Sequence, residues 1–75
     1  MDEKMIRKLI VLIKKHNART RRSTVSIYDN GRILLAVRGP AARHMSNALY
    51  HLMRALGRRQ VRRWVCGSDW CVAFS

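Results

Sequence analysis

The sequence predicts an α+β fold of the order αββαββ, a two-layer sandwich in which two helices cover one face of a four-stranded antiparallel sheet. Two amphipathic segments, each followed by a pair of short β-rich segments around a glycine-containing turn, support this prediction. Moving the last strand to the front of the chain would give the ferredoxin-like order, so we expect a permuted version of that sandwich. The second sheet face would lie open. With 75 residues, the chain has room for one domain, spanning residues 1–75.

Both helices are predicted from apolar residues that recur at helical spacing. The first runs from about Glu3 to Asn17, with Asp2 and Glu3 at the end where a helix favours negative charge. Its apolar residues are Met5, Ile6, Leu9, Ile10, Leu12 and Ile13. The second runs from Pro40 to about Leu56, and Gly57 is its expected C-cap. Its buried stripe should consist of Met45, Ala48, Leu49, Leu52, Met53 and Leu56.

The first hairpin, Ser23–Arg38, is expected to turn at Asp29-Asn30-Gly31. With all three residues in the loop, Ile27 pairs with Ile33 and Val25 with Leu35. The inner face then carries Val25, Ile27, Ile33, Leu35 and Val37. The open face carries Thr24, Ser26, Tyr28, Arg32, Leu34, Ala36 and Arg38. A two-residue Asn30-Gly31 loop would mix polar and apolar residues on both faces, so the pattern favours the longer loop.

The second hairpin consists of Gln60–Cys66 and Trp70–Phe74 around Gly67-Ser68-Asp69, and its register stays open between two alternatives. A two-residue Gly67-Ser68 loop places Arg62, Trp64, Cys66, Cys71 and Ala73 on one face, and Val61, Arg63, Val65, Trp70, Val72 and Phe74 on the other. A three-residue loop groups Trp64, Cys66, Trp70, Val72 and Phe74. In the first register Trp64 can lie on the open face, whereas in the second both tryptophans belong to the core.

Charge indicates a polyanionic partner. The chain has 16 basic residues against 4 acidic ones, a net charge of +12 and a pI of about 11.6. All but four of the basic residues are arginines, whose planar guanidinium binds phosphate and stacks on bases. Nucleic acid is therefore the favoured partner, and a basic subunit that docks on an acidic protein is the alternative.

A single nucleic-acid strand is held by basic side chains along its phosphates and by aromatic rings that stack on its bases. The open sheet and its margins offer both kinds of group. The candidate binding residues are Arg21, Arg22, Tyr28, Arg32, Arg38, Arg62, Arg63, Trp64 and Trp70. Leu34 and Ala36 also suit the centre of a contact between two sheets, so a structural or assembly subunit is the alternative function.

The αββαββ order, the small size, the Arg19–Arg22 connector, and Tyr28, Trp64 and Trp70 among arginines resemble the thermophilic archaeal single-stranded-DNA-binding proteins called ThermoDBP and their short relatives. The resemblance implies a domain of a sheet and two helices whose basic surface and apolar cleft hold a single strand. It rests on no diagnostic motif, so it assigns no binding residue. Unlike the longer members, the chain lacks a long C-terminal helix, so the way in which those members dimerise is not assigned to this chain.

Catalysis is not expected. The four acidic residues, Asp2, Glu3, Asp29 and Asp69, form no pair suited to acid–base chemistry. His44 and His51 fall on one side of the second helix, about 10 Å apart along its axis, and could serve as base and acid in RNA cleavage. We instead interpret them as polar surface residues.

No metal site or cofactor is expected either. With only Cys66 and Cys71, a zinc site would need histidines or a second subunit. A hairpin disulfide requires a register that sets the two cysteines opposite each other, and two buried free thiols are the favoured alternative.

The sequence therefore predicts a non-enzymatic protein that binds single-stranded DNA or RNA, with no feature that selects between the two. No apolar stretch approaches the length of a membrane span, and Lys4, Arg7 and Lys8 interrupt any signal-peptide pattern, so we expect a cytoplasmic protein. Duplex binding or membrane-surface binding through the basic first helix is a weaker alternative. The small core and the partly apolar open face predict a homodimer or higher oligomer.

Overall fold

The computed structural model describes residues 3–17 and 21–75 and has the predicted order of elements. The helices are α1 (Glu3–His16) and α2 (Ala42–Ala55). The strands are β1 (Thr24–Asp29), β2 (Ile33–Arg38), β3 (Arg62–Cys66) and β4 (Asp69–Phe74). The predictions for Asp2, Arg19 and Thr20 lie outside the described residues. Neither helix in the described ranges has the length and apolar character needed to cross a membrane.

The four strands form one antiparallel sheet in the order β1-β2-β4-β3. This order confirms the permuted ferredoxin-like arrangement, because the two consecutive hairpins meet through β2 and β4 at the centre of the sheet. Both helices pack on the same sheet face, and the other face is open. The core between the layers comprises Ile6 and Ile10 of α1, Met45, Leu49 and Met53 of α2, and Ile33, Leu35, Val37, Val72 and Phe74 of the sheet.

The first hairpin has the predicted faces but not the predicted pairing. Its loop consists of Asn30, Gly31 and Arg32, so Ile27 pairs with Leu35 and Val25 with Val37. The predictions that Ile27 pairs with Ile33 and Val25 with Leu35 were therefore wrong, each by two residues. A shift of two residues leaves every side chain on its own face, since side chains alternate along a strand with a period of two. Gly31 has a left-handed conformation, with φ +76°.

Charge explains why the observed pairing is favoured. It sets Arg38 opposite Thr24, whereas the predicted register would set Arg38 opposite Arg22. Like charges directly opposite each other on paired strands are destabilising.

The second hairpin has the two-residue loop, Gly67-Ser68, with Cys66 paired to Asp69 and Trp64 to Cys71. Of the two registers left open by the sequence, this one places Trp64 on the open face. Trp70 lies on the helix-covered face, where it is half-buried against the core. The strand pleat thus separates the two tryptophans.

The helix α2 ends as the sequence predicts. Gly57 has φ +76°, its N–H bonds the carbonyl of Arg54, and the N–H of Arg58 bonds the carbonyl of Met53. This pair of bonds is the Schellman arrangement, in which a left-handed glycine satisfies the last free carbonyls of a helix. Pro40 lies two residues before the helix rather than in its first turn, and Leu56 is exposed rather than buried.

A close contact joins the end of β2 to the segment before β1. Gly39 has φ +126°, and a Cβ atom at this position would lie 2.8 Å from the Cα of Ser23. The buried hydroxyl of Ser23 accepts a hydrogen bond from the N–H of Ala41 at 3.2 Å. The start of α2 is therefore held against the start of the first hairpin.

Candidate nucleic-acid interface

The open sheet face consists of side chains in rows that cross all four strands. One row contains Tyr28, Leu34, Ala73 and Arg62, and the next contains Ser26, Ala36, Cys71 and Trp64. A third row contains Thr24, Arg38, Asp69 and Cys66. We call this surface the open face. It lies opposite the helices, so its central side chains are covered only by their neighbours in the sheet.

Two aromatic rings flank the open face. Tyr28 on β1 is 56% exposed and Trp64 on β3 is 41% exposed. They lie on the two edge strands, three strand spacings or about 14 Å apart across the sheet. Between them, Leu34, Ala36 and Ala73 are half-buried and form an apolar floor. The arrangement offers two stacking surfaces separated by a floor without charge.

Two of the arginines that were predicted for the open face already have partners within the chain. The Nε of Arg38 donates to Oδ1 of Asp69 at 2.8 Å, and the Nη2 of Arg32 donates to Oε1 of Gln60 at 2.6 Å. The bond to Asp69, together with its negative charge, raises the pKa of Arg38. Asp69 thereby offsets part of the positive charge that Arg38 was predicted to offer.

Arg38 and Asp69 line a depression of about 220 Å³ on the β1 side of the open face. Its other lining residues are Thr24, Ser26, Tyr28 and Ala36. On the opposite edge, Arg62 is exposed and forms no ion pair among the described residues. Free positive charge on the open face is therefore concentrated along β3, next to Trp64.

Several predicted binding residues do not join the open face. Arg63 and Trp70 lie on the helix-covered side of the sheet, because the pleat sends neighbouring residues of a strand to opposite faces. Arg22 lines a cavity before α2 instead, and Arg21 is exposed ahead of β1. Arg32 was predicted to lie on a strand, but it belongs to the loop of the first hairpin. The face that the sequence predicted thus retains Tyr28, Arg38, Arg62 and Trp64.

The sequence interpretation missed a basic and aromatic cluster beside β3. The guanidinium carbons of Arg63 and Arg54 lie 5.1 Å and 5.7 Å from the ring centre of Tyr50 on α2. These distances are those of cation–π contacts. The four-residue spacing of Tyr50 and Arg54 is a helical signal for half of the cluster, but nothing local in sequence brings Arg63 to it.

A groove of about 410 Å³ connects this cluster to Trp64 around the edge of the sheet. Tyr50, Val61, Arg62, Arg63 and Trp64 line it. Every residue of β3 is exposed. Arg62 and Arg63 therefore present guanidinium groups on both sides of one edge strand.

The two cysteines are free thiols in different environments. Cys66 is exposed, while Cys71 is buried, and burial, with a smaller effect of the Asp69 charge, raises the pKa of the Cys71 thiol. The register sets Cys71 opposite Trp64 rather than opposite Cys66. The condition for a hairpin disulfide is therefore not met, and the prediction that both thiols are buried was wrong for Cys66.

The remaining side chains that could take part in catalysis or metal binding lie apart from one another. His44 and His51 are both exposed on α2, and the ring of His51 packs edge-on against Tyr50 at 5.3 Å. Among residues 3–17 and 21–75, no three His, Cys, Asp or Glu side chains come together as a metal site.

The chain matches no known protein family, and searches of curated proteins and of solved structures likewise found no match. The resemblance to the ThermoDBP-like proteins stays a prediction.

Proposed function

We propose that this protein binds single-stranded DNA or RNA on its open face, without catalysing a reaction. One observation carries the proposal: Tyr28 and Trp64 expose their rings on the uncovered side of the sheet, on either side of an apolar floor. Unpaired bases can stack on such rings, whereas the bases of a duplex are already stacked inside it. The arginines at the rims supply contacts to the phosphates.

Charge placement supports a path along β3. Arg62 lies on the open face beside Trp64, and Arg63 lies across the strand edge beside Tyr50. A strand whose bases stack on Trp64 would keep its phosphates within reach of both guanidinium groups. This path uses the part of the open face where positive charge is not offset by an acid.

The direct test is a fluorescence-anisotropy titration with labelled single-stranded DNA, single-stranded RNA and duplex DNA of matched length, each at two salt concentrations. We expect both single strands to bind more tightly than the duplex, by a margin that persists at the higher salt because stacking is not screened. Equal affinity for all three at each salt concentration would indicate binding by charge alone. No binding at low salt would refute the proposal.

The open face also supports a second candidate, a structural or assembly subunit that uses this face for protein contacts. Tyr28 and Trp64 are large, exposed side chains on the two edge strands of this face, and the half-buried Leu34 and Ala36 lie between them. Exposed apolar patches of this kind often mark protein interfaces.

A homodimer formed through the open face would cover Tyr28 and Trp64. Sedimentation at micromolar protein, with and without a single strand, therefore distinguishes the two candidate functions. A dimer that the strand dissociates favours nucleic-acid binding, and one that excludes the strand favours assembly. We also propose that the protein is cytoplasmic.

A further inference from the structure

A second cavity, of about 850 Å³, lies away from the open face, where the approach to β1 meets the start of α2. Asn17, Arg22, Pro40, Ala41, Arg43, His44 and Asn47 line it. Its size falls within the range of cavities that bind small molecules, about 300–1,000 Å³. No residue of the open face lines it, although Arg22 was among the predicted nucleic-acid-binding residues. Its described polar lining residues are two arginines, one histidine and two asparagines.

The positive charges of this cavity are not offset. No described lining residue carries a carboxylate, and Arg22 and Arg43 form no ion pair with any described residue. The three described acids lie elsewhere: Glu3 binds Arg7, Asp69 binds Arg38, and Asp29 lies at the far end of β1. Two arginines that line one cavity bring like charges together, and an anion between them offsets their repulsion. Guanidinium groups also match the geometry of phosphate oxygens.

The surrounding structure holds this arrangement in place. The guanidinium of Arg43 lies over the ring of Trp70, with its central carbon 6.0 Å from the ring centre. Ala41, buried in the cavity wall, is fixed by the bond from its N–H to Ser23. The backbone N–H groups of Arg43 and His44, in the first turn of α2, have no backbone acceptor among the described residues. These N–H groups add hydrogen-bond donors, and the N-terminus of α2 adds partial positive charge, to a cavity that two arginines already line.

We propose that this cavity binds the phosphate of a nucleoside phosphate. The volume exceeds what a phosphate alone occupies and leaves room for the nucleoside. The carboxamide of Asn47 offers both donors and an acceptor to a base or sugar. The ligand is either a free nucleotide or the terminal nucleotide of a strand, since both present the same group. This inference does not rest on the proposed role of the open face.

The test is a titration of the ¹⁵N-labelled protein, followed by ¹H–¹⁵N correlation spectra, with AMP, adenosine and inorganic phosphate at constant ionic strength. We expect AMP to shift the amide signals of Arg43 and His44 and the side-chain signal of Asn47 in a saturable way. Adenosine should bind at least about tenfold more weakly, because it lacks the charge-assisted bonds to phosphate. Equal shifts from AMP and adenosine, or AMP shifts confined to Tyr28 and Trp64, would overturn the proposal.

Two variants distinguish AMP binding at this cavity from binding through the net charge of the protein. The double variant Arg22→Gln/Arg43→Gln should weaken AMP binding by about tenfold or more. Arg54→Gln is the matched control, because Arg54 lies over the ring of Tyr50 on the same helix but outside the cavity. It should leave the affinity within about twofold, as expected for a distant surface charge. An equal loss in both variants would overturn the site. If the double variant loses its dispersed native spectrum, Arg22→Gln alone provides the test.

Two further measurements identify the source of the nucleotide and keep this inference separate from the open face. A short oligonucleotide with a 5′-phosphate should displace AMP better than its 5′-hydroxyl form if the ligand is a strand end, and displacement by neither assigns the site to a free nucleotide. Equal displacement by both would show that internal phosphates bind the cavity and would overturn the proposal. Trp64→Ala should leave AMP binding unchanged while weakening oligonucleotide binding. Loss of AMP binding in that variant would place the nucleotide on the open face and refute the cavity.

Discussion

Trp64 and Trp70 lie on paired strands of one hairpin and have opposite environments. Trp64 is exposed on the open face, whereas Trp70 is half-buried on the helix side and carries Arg43 over its ring. The sequence narrowed this outcome to two registers but could not choose between them, because Gly67-Ser68-Asp69 suits a turn of either length. The choice depends on how β4 aligns with β2, a contact between segments that are distant in sequence.

The two tryptophans should therefore respond differently to the same substitution. We expect Trp64→Ala to weaken single-strand binding by about 1–3 kcal/mol and to change the free energy of unfolding by about 1 kcal/mol or less. Trp70→Ala should instead lower the free energy of unfolding by about 2–4 kcal/mol, because it removes packing against the core. Urea unfolding and anisotropy titrations measure the two effects. If Trp64→Ala mainly destabilises the fold, Trp64 is not a stacking surface.

Asp69 limits the charge of the open face by binding Arg38. Both side chains are substantially exposed, so we expect Asp69→Asn to change stability by about 1 kcal/mol or less. The released guanidinium should tighten single-strand binding at low salt and steepen the salt dependence by up to about one unit of slope. Asp29→Asn is the matched control, since it removes the same charge from a residue without an ion pair among the described residues. An equal gain in both variants would indicate an effect of net charge alone.

At the scale of elements, the hairpins show what an alternating pattern can and cannot predict. Alternation assigned the faces of β1 and β2 correctly, because a buried apolar side chain tolerates no shift by one residue. It could not exclude a shift by two, which keeps every face and changes every partner. The choice between two registers that differ by two residues depends on specific opposing pairs, such as Arg38 with Thr24. The cluster of Tyr50, Arg54 and Arg63 was missed for a related reason, because it joins a helix to an edge strand.

The junction between β2 and α2 depends on Gly39. Gly39→Ala should lower the free energy of unfolding by about 2–4 kcal/mol, because the added methyl group would meet the Cα of Ser23 while the backbone stays at positive φ. Gly31→Ala is the control: its φ is also positive, but no atom lies within 4 Å of the added Cβ. That variant should lose only about 1–2 kcal/mol. Equal losses measured by urea unfolding would mean that the contact with Ser23 adds nothing to the backbone strain.

The second hairpin should also show unequal thiol chemistry. Cys66 is exposed, whereas burial both shields Cys71 and raises its pKa, which reduces the thiolate fraction at a given pH. We expect iodoacetamide at pH 8 to modify Cys66 first, with Cys71 reacting only as the fold opens. Peptide mapping by mass spectrometry at early times measures the order. Simultaneous modification of both residues in folded protein would contradict the burial of Cys71.

At the scale of the whole molecule, a net charge of +12 is spread unevenly over a small fold. The charge alone predicted a polyanionic partner, but it could not predict where that partner binds. The fold concentrates free guanidinium groups along β3 and in the cavity before α2, while Asp69 offsets Arg38 on the open face. No local pattern predicted the cavity, since Asn17, Arg22 and Arg43 come from three separate segments.

This distribution leads to a prediction for the salt dependence of single-strand binding. If about five basic side chains neutralise phosphates, log affinity should fall with log salt at a slope of roughly −3 to −4. Arg62→Ala, beside Trp64, should reduce the magnitude of that slope by about 0.7, the contribution of one phosphate contact on a single strand. Lys15→Ala is the matched control, because it removes one exposed charge from α1. It should leave the slope unchanged. Anisotropy titrations across a series of salt concentrations measure both variants. If Lys15→Ala lowers the slope as much as Arg62→Ala, the strand contacts the helix-covered side as well, and the open face is not the main binding surface.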